Sequence, residues 1–180
     1  TALFDAHAAG RVALPDDETQ RTMFLMARRK LQDAGYDHYE ISNYAKPGHR
    51  SRHNSLYWTQ GEYLGLGTAA HSYWGERRSA NTDDIESYVN CNEAGLLARI
   101  CELPPEEIAR RGECIMLALR QCDGVRIETL NAWLRCDFEA EYAQEIQELQ
   151  ESELLEITDG RVRLTEEGLL LSDSVFETFF

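Results

Sequence analysis

The stretch AGYDHYEISNYAKPG, residues 34–48, decides the fold of the first part of the chain. Gly35 is a typical stop for a preceding helix, because a left-handed residue closes the last helical turn. The alternating, aromatic-rich run 39–44 predicts a short strand, which the Lys-Pro-Gly sequence at 46–48 ends. A helix, a glycine-containing turn and a strand in this order make half of an α/β repeat.

The same signals predict the elements on either side of this stretch. Pro15 and the three acids after it mark a helix start, and apolar residues at helical spacing extend that helix to Gly35. Further along the chain the patterns predict a loop at 49–56, a strand running into a small-residue turn at 63–72, a strand at 77–81 and a helix capped by residues 82–84.

The second part of the chain has a different character. From Pro105 onward there are 18 acids and 7 arginines, a net charge of −11, against −3 for residues 1–104. The patterns predict helices at 106–120, 127–134 and 138–151, a β-hairpin at 154–164 and a last helix after it. Asp159-Gly160 is a typical hairpin turn. Three helices followed by a small hairpin predict a winged helix, so the fold class is α/β followed by α+β.

Charge and composition exclude several classes of function. The net charge of −14 and the presence of only two lysines argue against a nucleic-acid partner, and the predicted third helix is acidic. No segment is long and apolar enough to span a bilayer, and no signal peptide is visible, so we expect a cytoplasmic protein. The five cysteines lie at least eight positions apart, which favours free thiols over disulfides and excludes a complete iron–sulfur ligand set.

The most suggestive chemical cluster is HNSLYW, residues 53–58. His53 is a residue type that ligates haem iron, while Tyr57 and Trp58 offer flat surfaces for a porphyrin, and Arg50 and Arg52 offer charges for its propionates. The alternative is that the histidine satisfies loop backbone groups and the two aromatic side chains pack into a core.

The glycine-rich segment that follows is weaker evidence for a site. Gly65-x-Gly67-x-x-Ala70 superficially matches a dinucleotide fingerprint, but no helix is predicted after it, so we interpret it as a turn of close backbone approach. The neighbouring His71 is either polar lining or a core histidine.

An ordered set of motifs resembles the HemW-type radical SAM haem chaperones, relatives of the oxygen-independent coproporphyrinogen III dehydrogenase HemN. These motifs are LPDDE at 14–18, AGY at 34–36, YEISNYAKPG at 39–48, RHNSLYW at 52–58 and YLGLGTAAHS at 63–72. The resemblance extends more weakly to the rest of the chain. One departure is Ala69, where family members commonly have Gly.

The resemblance implies an architecture and a set of cofactors. Residues 1–81 would be the C-terminal part of a partial (β/α) radical SAM barrel, 82–104 a connecting helix and linker, and 105–180 a winged-helix HemN-like C-terminal domain. Family members hold S-adenosylmethionine and a [4Fe–4S] cluster bound by a CxxxCxxC motif. This sequence has no such motif, so we expect it to be the C-terminal half of a longer protein and inactive as an enzyme on its own.

The resemblance also implies site residues and partners. His53, Asn54, Tyr57 and Trp58 would contact haem, with His53 at the iron, and Ala45 would lie against S-adenosylmethionine. The partners would be haem or a porphyrin and a haem-accepting protein, with peripheral contact allowed where that recipient is membrane-bound. We therefore expect a haem chaperone. The alternatives are oxidative decarboxylation of coproporphyrinogen III to protoporphyrinogen IX and a decayed reading frame that survives as an interaction module.

Overall fold

The computed structural model describes residues 1–96, 98–101 and 107–180, with the backbone alone described at 99–101. The boundary expected at residues 104 and 105, and the start of the helix expected from Glu106, lie outside the described residues. The helices are α1 Ala2–Ala8, α2 Asp17–Asp33, α3 Arg52–Trp58, α4 Ile85–Glu93, α5 Glu107–Leu119, α6 Ile127–Leu134, α7 Phe138–Glu141, α8 Ala143–Glu151, α9 Glu166–Leu170 and α10 Ser172–Glu177. The strands are β1 Asp37–Glu40, β2 Asn43–Ala45, β3 His71–Trp74, β4 Arg77–Asn81, β5 Arg99–Cys101, β6 Val125–Arg126, β7 Leu155–Thr158 and β8 Arg161–Leu164.

The described strands form three small antiparallel sheets. β1 pairs with β2, β3 with β4 and β4 with β5, and the second part of the chain contains a sheet in the order β6-β8-β7. Mixed helix and strand content is therefore confirmed for both parts of the chain.

Elements with strong local signals form where the sequence predicts them. The Asp16 carboxylate accepts a hydrogen bond of 2.8 Å from the Thr19 amide and caps α2, and Gly35 adopts a φ of +76° beyond its end. α6 has the predicted bounds, and the β7–β8 hairpin turns at Asp159-Gly160, both of which have positive φ. The caps and turns of α2 and of the β7–β8 hairpin involve neighbouring residues only, whereas the Ile127 amide at the start of α6 donates a hydrogen bond of 3.0 Å to the distant Gly160 carbonyl.

The single strand predicted at 39–44 is wrong, because the chain reverses there into the β1–β2 hairpin. The buried Glu40 carboxylate accepts a hydrogen bond of 3.0 Å from the Ser42 amide and one of 2.5 Å from Asn43 Nδ2. These bonds close a tight turn in the middle of an alternating pattern, and they compete with an extended conformation.

The loop predicted at 49–56 is also wrong, because residues 52–58 form the helix α3. The Ser51 hydroxyl accepts a hydrogen bond of 3.2 Å from the Asn54 amide and so begins the helix. The sequence predicts a strand running into a small-residue turn at 63–72. The strand part is reduced to an isolated bridge between Tyr63 and Tyr73, whereas the chain does turn at 67–69 and β3 begins at His71.

Two predicted helices are each divided into two. The helix expected at 138–151 is interrupted at Tyr142 between α7 and α8, and the last helix is interrupted at Leu171 between α9 and α10. Both breaks let the shorter pieces bend around one core.

The hydrophobic core lies in the second part of the chain. Ile115, Leu130, Phe138 and Val175 are fully buried there and belong to one cluster. By contrast, helices α1 to α4 contain no buried residue. Within the described residues the first part therefore has little core of its own, and no described helix has the length and apolarity needed to cross a membrane.

Ion pairs join the two parts. Each pair has its arginine in one part and its carboxylate in the other: Arg21–Glu167, Arg28–Glu166, Arg50–Asp123, Arg78–Glu113, Arg120–Glu40 and Arg135–Glu76. The acidic surplus of the second part is thus partly matched by arginines of the first.

The cysteines in the described side chains, Cys91, Cys114, Cys122 and Cys136, are free, as predicted. Burial raises the pKa of the Cys114 and Cys122 thiols to about 12, so both are neutral at physiological pH.

Glu40 is the one fully buried charged side chain in the described residues, and its Oε1 lies 2.5 Å from Arg120 Nη2. Backbone bonds reinforce this junction, because the Ile41 amide donates to the Arg120 carbonyl and the Cys122 amide to the Tyr39 carbonyl, each at 3.2 Å. The end of β1 is therefore tied to the end of α5.

We expect Glu40→Gln to lower the free energy of unfolding by about 3 kcal/mol, because it leaves the Arg120 charge without its buried partner. Urea unfolding of the purified protein measures this change. Glu76→Gln is the matched control, since the Glu76–Arg135 pair also joins the two parts at 2.5 Å but is largely exposed. Equal losses in the two variants would contradict a special role for the buried pair.

We expect Ala69→Gly to raise the free energy of unfolding by about 0.5–1 kcal/mol. Ala69 has a φ of +55°, where a Cβ is unfavourable, and relief of this strain exceeds the entropic cost of glycine in the unfolded chain. Thermal unfolding measures the change. The adjacent Ala70→Gly lacks that strain and should destabilise, so a shift of the same sign in both variants would contradict the explanation.

Candidate functional site

The helix α3 holds its aromatic residues in place through contacts with the second part of the chain. Gln121 Nε2 donates a hydrogen bond of 3.3 Å to the Trp58 carbonyl at the end of α3. The Arg120 guanidinium lies 4.7 Å from the centre of the Trp58 ring, in a cation–π contact. Because Arg120 also pairs with Glu40, the junction between the two parts forms one support of the Trp58 side chain.

A cleft of about 620 Å³ opens between α3, the segment after it and strand β3, with the residues around Glu113 of α5 at its base. This volume lies within the range of sites for small molecules and cofactors. Its histidine and aromatic lining consists of His53, Tyr57, Trp58, Tyr63, His71 and Tyr73.

The aromatic rings form a connected wall of the cleft. Tyr57 meets Tyr63 edge to face with ring centres 4.6 Å apart, and Tyr63 lies 6.4 Å from Tyr73. His53 and Tyr57 are four residues apart on one helix face, and His53 Nε2 and the Tyr57 hydroxyl share a hydrogen bond of 2.7 Å. Burial raises the pKa of Tyr73, so its phenol stays protonated at neutral pH.

Polar groups also occur in residues that line the cleft. Trp58 and Gln60 belong to this lining, and their Nε1 and Nε2 atoms are themselves buried and, within the described residues, have no hydrogen-bond partner. Arg78 donates a hydrogen bond of 3.1 Å from Nη1 to the Tyr63 hydroxyl and forms an ion pair of 2.6 Å with Glu113. A buried N–H without a partner is costly, and a ligand oxygen would satisfy it.

The structure brings together three of the four residues predicted to contact haem. His53, Tyr57 and Trp58 line the cleft, whereas Asn54 is not among the lining residues. Ala45, predicted to lie against S-adenosylmethionine, is buried in β2 and lies outside this lining.

The two arginines suggested for propionates are also outside the cleft. Arg50 pairs with Asp123, and Arg52 is exposed on α3 and is not part of the lining. Arg78 is instead the arginine that the cleft contains.

The sequence patterns did not indicate that Gln60, Tyr73 and Arg78 line the site. For His71 they allowed either a place in a polar lining or a place in a core. His71 and Tyr73 alternate with the buried Ser72, so they lie on one face of β3. The strand period could have indicated that face, but only the folded chain shows that it lies opposite α3.

The lining fits a porphyrin better than it fits a bare metal ion. Flat aromatic surfaces, an imidazole for the iron and donors for carboxylates are features that suit a haem. No group of three or more possible metal ligands occurs among the described residues, so these residues do not fit an iron–sulfur cluster.

Comparison with known proteins finds relatives that match nearly the whole chain. The HemN C-terminal domain family matches residues 103–171. "Heme chaperone HemW" of Lactococcus lactis is 32% identical over 179 residues, which cover 99% of this chain and 47% of that protein, and the protein of the same name in Bacillus subtilis is 31% identical, again covering 99% and 47%. The mitochondrial "Radical S-adenosyl methionine domain-containing protein 1" of Danio rerio is 31% identical, covering 99% and 43%.

A solved structure supports the same relationship at the level of the fold. The coproporphyrinogen III oxidase HemN of Escherichia coli, described as a radical SAM enzyme, matches 92% of this chain and 42% of its own with a TM-score of 0.66 and 16% identity. The chain spans about half the length of the curated relatives it matches. Over the part of those relatives that it spans, the chain is therefore similar to the HemW and HemN proteins, and its residues 103–171 match the HemN C-terminal domain family.

Proposed function

We propose that the cleft binds haem and that the chain works as part of a radical SAM haem chaperone, which passes haem to target proteins. The observation that carries the proposal is the lining itself, in which His53, Tyr57 and Trp58 stand beside unpartnered buried N–H donors. The name "Heme chaperone" of relatives in two bacteria supports the same ligand.

Each lining group has a role in this proposal. His53 contacts the iron through its imidazole, since neutral imidazole is a good ligand for haem iron. Tyr57 and Trp58 contact the macrocycle with their ring faces. Trp58 Nε1 and Gln60 Nε2 donate to the propionate carboxylates, which would satisfy two N–H groups that have no partner in the described part of the chain.

We further propose the domain organisation that the resemblance implies. Residues 1–81 form the C-terminal part of a partial barrel. Residues 82–104 are the helix and linker that connect it to residues 105–180, which form a winged helix. The HemN-like fold supports the first assignment, and three helical segments packed with the β6-β8-β7 sheet support the last. S-adenosylmethionine, with Ala45 beside it, and the [4Fe–4S] cluster belong to the whole protein in this proposal, because the chain has no CxxxCxxC motif.

The proposed partner is a haem-accepting protein in the cytoplasm rather than a nucleic acid. Helix α8 presents exposed Glu148 and Glu151 and carries no basic residue. An acidic helix repels phosphate, whereas it can face a basic patch on a protein. A recipient at the membrane would be met by peripheral contact.

The family also contains oxidases, and the HemN-like fold makes coproporphyrinogen III decarboxylation the second candidate. That reaction turns propionate groups into vinyl groups through a 5′-deoxyadenosyl radical. An anaerobic assay of the whole protein for protoporphyrinogen IX separates the two, because a haem carrier forms none.

We expect the purified protein to give a Soret band on titration with haem, and His53→Ala to bind haem about tenfold more weakly or worse, because it removes an iron contact. Difference absorbance spectroscopy measures the affinity. His49→Ala is the control, since His49 is an exposed histidine outside the cleft whose Nδ1 lies 3.0 Å from the Pro47 carbonyl. Unchanged affinity in the His53 variant would remove His53 from the site.

A second variant tests the proposed propionate contacts. We expect Gln60→Leu to weaken haem binding several-fold, because it removes a donor for one carboxylate and keeps most of the side-chain volume. Comparison with a porphyrin dimethyl ester gives the control, since an esterified ligand should no longer distinguish the variant from the wild type. Equal losses for both ligands would mean that Gln60 shapes the cleft without binding a carboxylate.

A further inference from the structure

His71 differs from the other histidines of the chain in having no partner for its ring. Four of the five histidines share a hydrogen bond: His7 with the Val12 carbonyl, His38 with the Ile41 carbonyl, His49 with the Pro47 carbonyl and His53 with the Tyr57 hydroxyl. Within the described residues the His71 ring shares none, although the side chain lines the cleft. An exposed imidazole with both nitrogens available is a group that can bind a ligand.

The backbone around His71 is held firmly. The Gly65 amide donates a hydrogen bond of 2.9 Å to the hydroxyl of the buried Ser72, which fixes the inward face of β3. A Cβ built on Gly65 would lie 2.2 Å from the His71 carbonyl oxygen, so only glycine permits this approach. The outward face of β3, which carries His71 and Tyr73, is therefore directed at the cleft by packing on its other side.

The same cleft is also lined by His53, which comes from helix α3 and not from β3. Its Nε2 is already bonded to the Tyr57 hydroxyl at 2.7 Å, so the Tyr57 contact orients the ring and competes for that nitrogen. His71 has no such competitor in the described part of the chain. A haem in the cleft thus meets one imidazole from the helix and one from the strand.

We propose that His71 is a second ligand of the haem iron, in addition to His53. The inference rests on the proposed function, since it requires haem in this cleft. Two imidazoles make ferric iron six-coordinate and low-spin, whereas the loss of one leaves a five-coordinate or water-bound, high-spin iron. No redox step is involved, because ligation forms two Fe–N bonds and changes no oxidation state.

The test is the spin state of ferric haem bound to the purified protein, measured by absorbance and electron paramagnetic resonance. We expect the ferric haem to be low-spin in the wild type and high-spin in His71→Ala. The variant should still bind haem, with an affinity that is lower by about tenfold or more. Added imidazole should restore the low-spin spectrum of His71→Ala. His49→Ala should keep the wild-type spectrum, and circular dichroism checks that each variant is folded.

The outcomes separate this inference from the proposed function. Absence of haem binding by the folded wild type would overturn both. Haem binding with a low-spin spectrum that His71→Ala leaves unchanged would overturn the role of His71 and leave haem binding in place. A high-spin wild type would likewise overturn the inference, because it excludes two imidazole ligands. If His71→Ala does not fold, His71→Gln at the same exposed position gives the same comparison, since an amide does not replace imidazole at the iron.

Discussion

The buried ion pair between Glu40 and Arg120 is the interaction on which the arrangement of the molecule depends. A carboxylate with no exposure to water needs compensation, and Glu40 obtains it from a guanidinium, a backbone amide and a side-chain amide. These contacts turn the chain into the β1–β2 hairpin and fasten that hairpin to the end of α5. Because the Arg120 guanidinium also stacks on Trp58, the junction extends to one wall of the cleft.

The acidic composition of the second part has a structural explanation. Four of its carboxylates pair with arginines of the first part, which is nearly neutral and has little core of its own. Complementary charge orients two surfaces without requiring much apolar area between them. The remaining acids are exposed, notably on α8, and give the molecule a surface suited to a basic protein and unsuited to phosphate.

The described residues that line the cleft come from α3, the segment up to β4 and the middle of α5. The haem binding proposed for them can be tested apart from radical chemistry. The latter needs three cluster cysteines in a motif that this sequence does not contain.

The sequence by itself determined the elements whose causes are local: α2 with its Asp16 cap and Gly35 stop, and the hairpin at Asp159-Gly160. It also predicted His53, Asn54, Tyr57 and Trp58 as haem contacts, of which the structure places His53, Tyr57 and Trp58 in the lining of one cleft. Only the tertiary structure decided that the strand pattern after Tyr39 would reverse at Glu40, since the partner that stabilises the buried carboxylate, Arg120, lies in the other part of the chain. For the same reason only the folded chain placed His71 in the same cleft as His53: a strand period fixes which side chains share a face, and long-range packing fixes what that face meets.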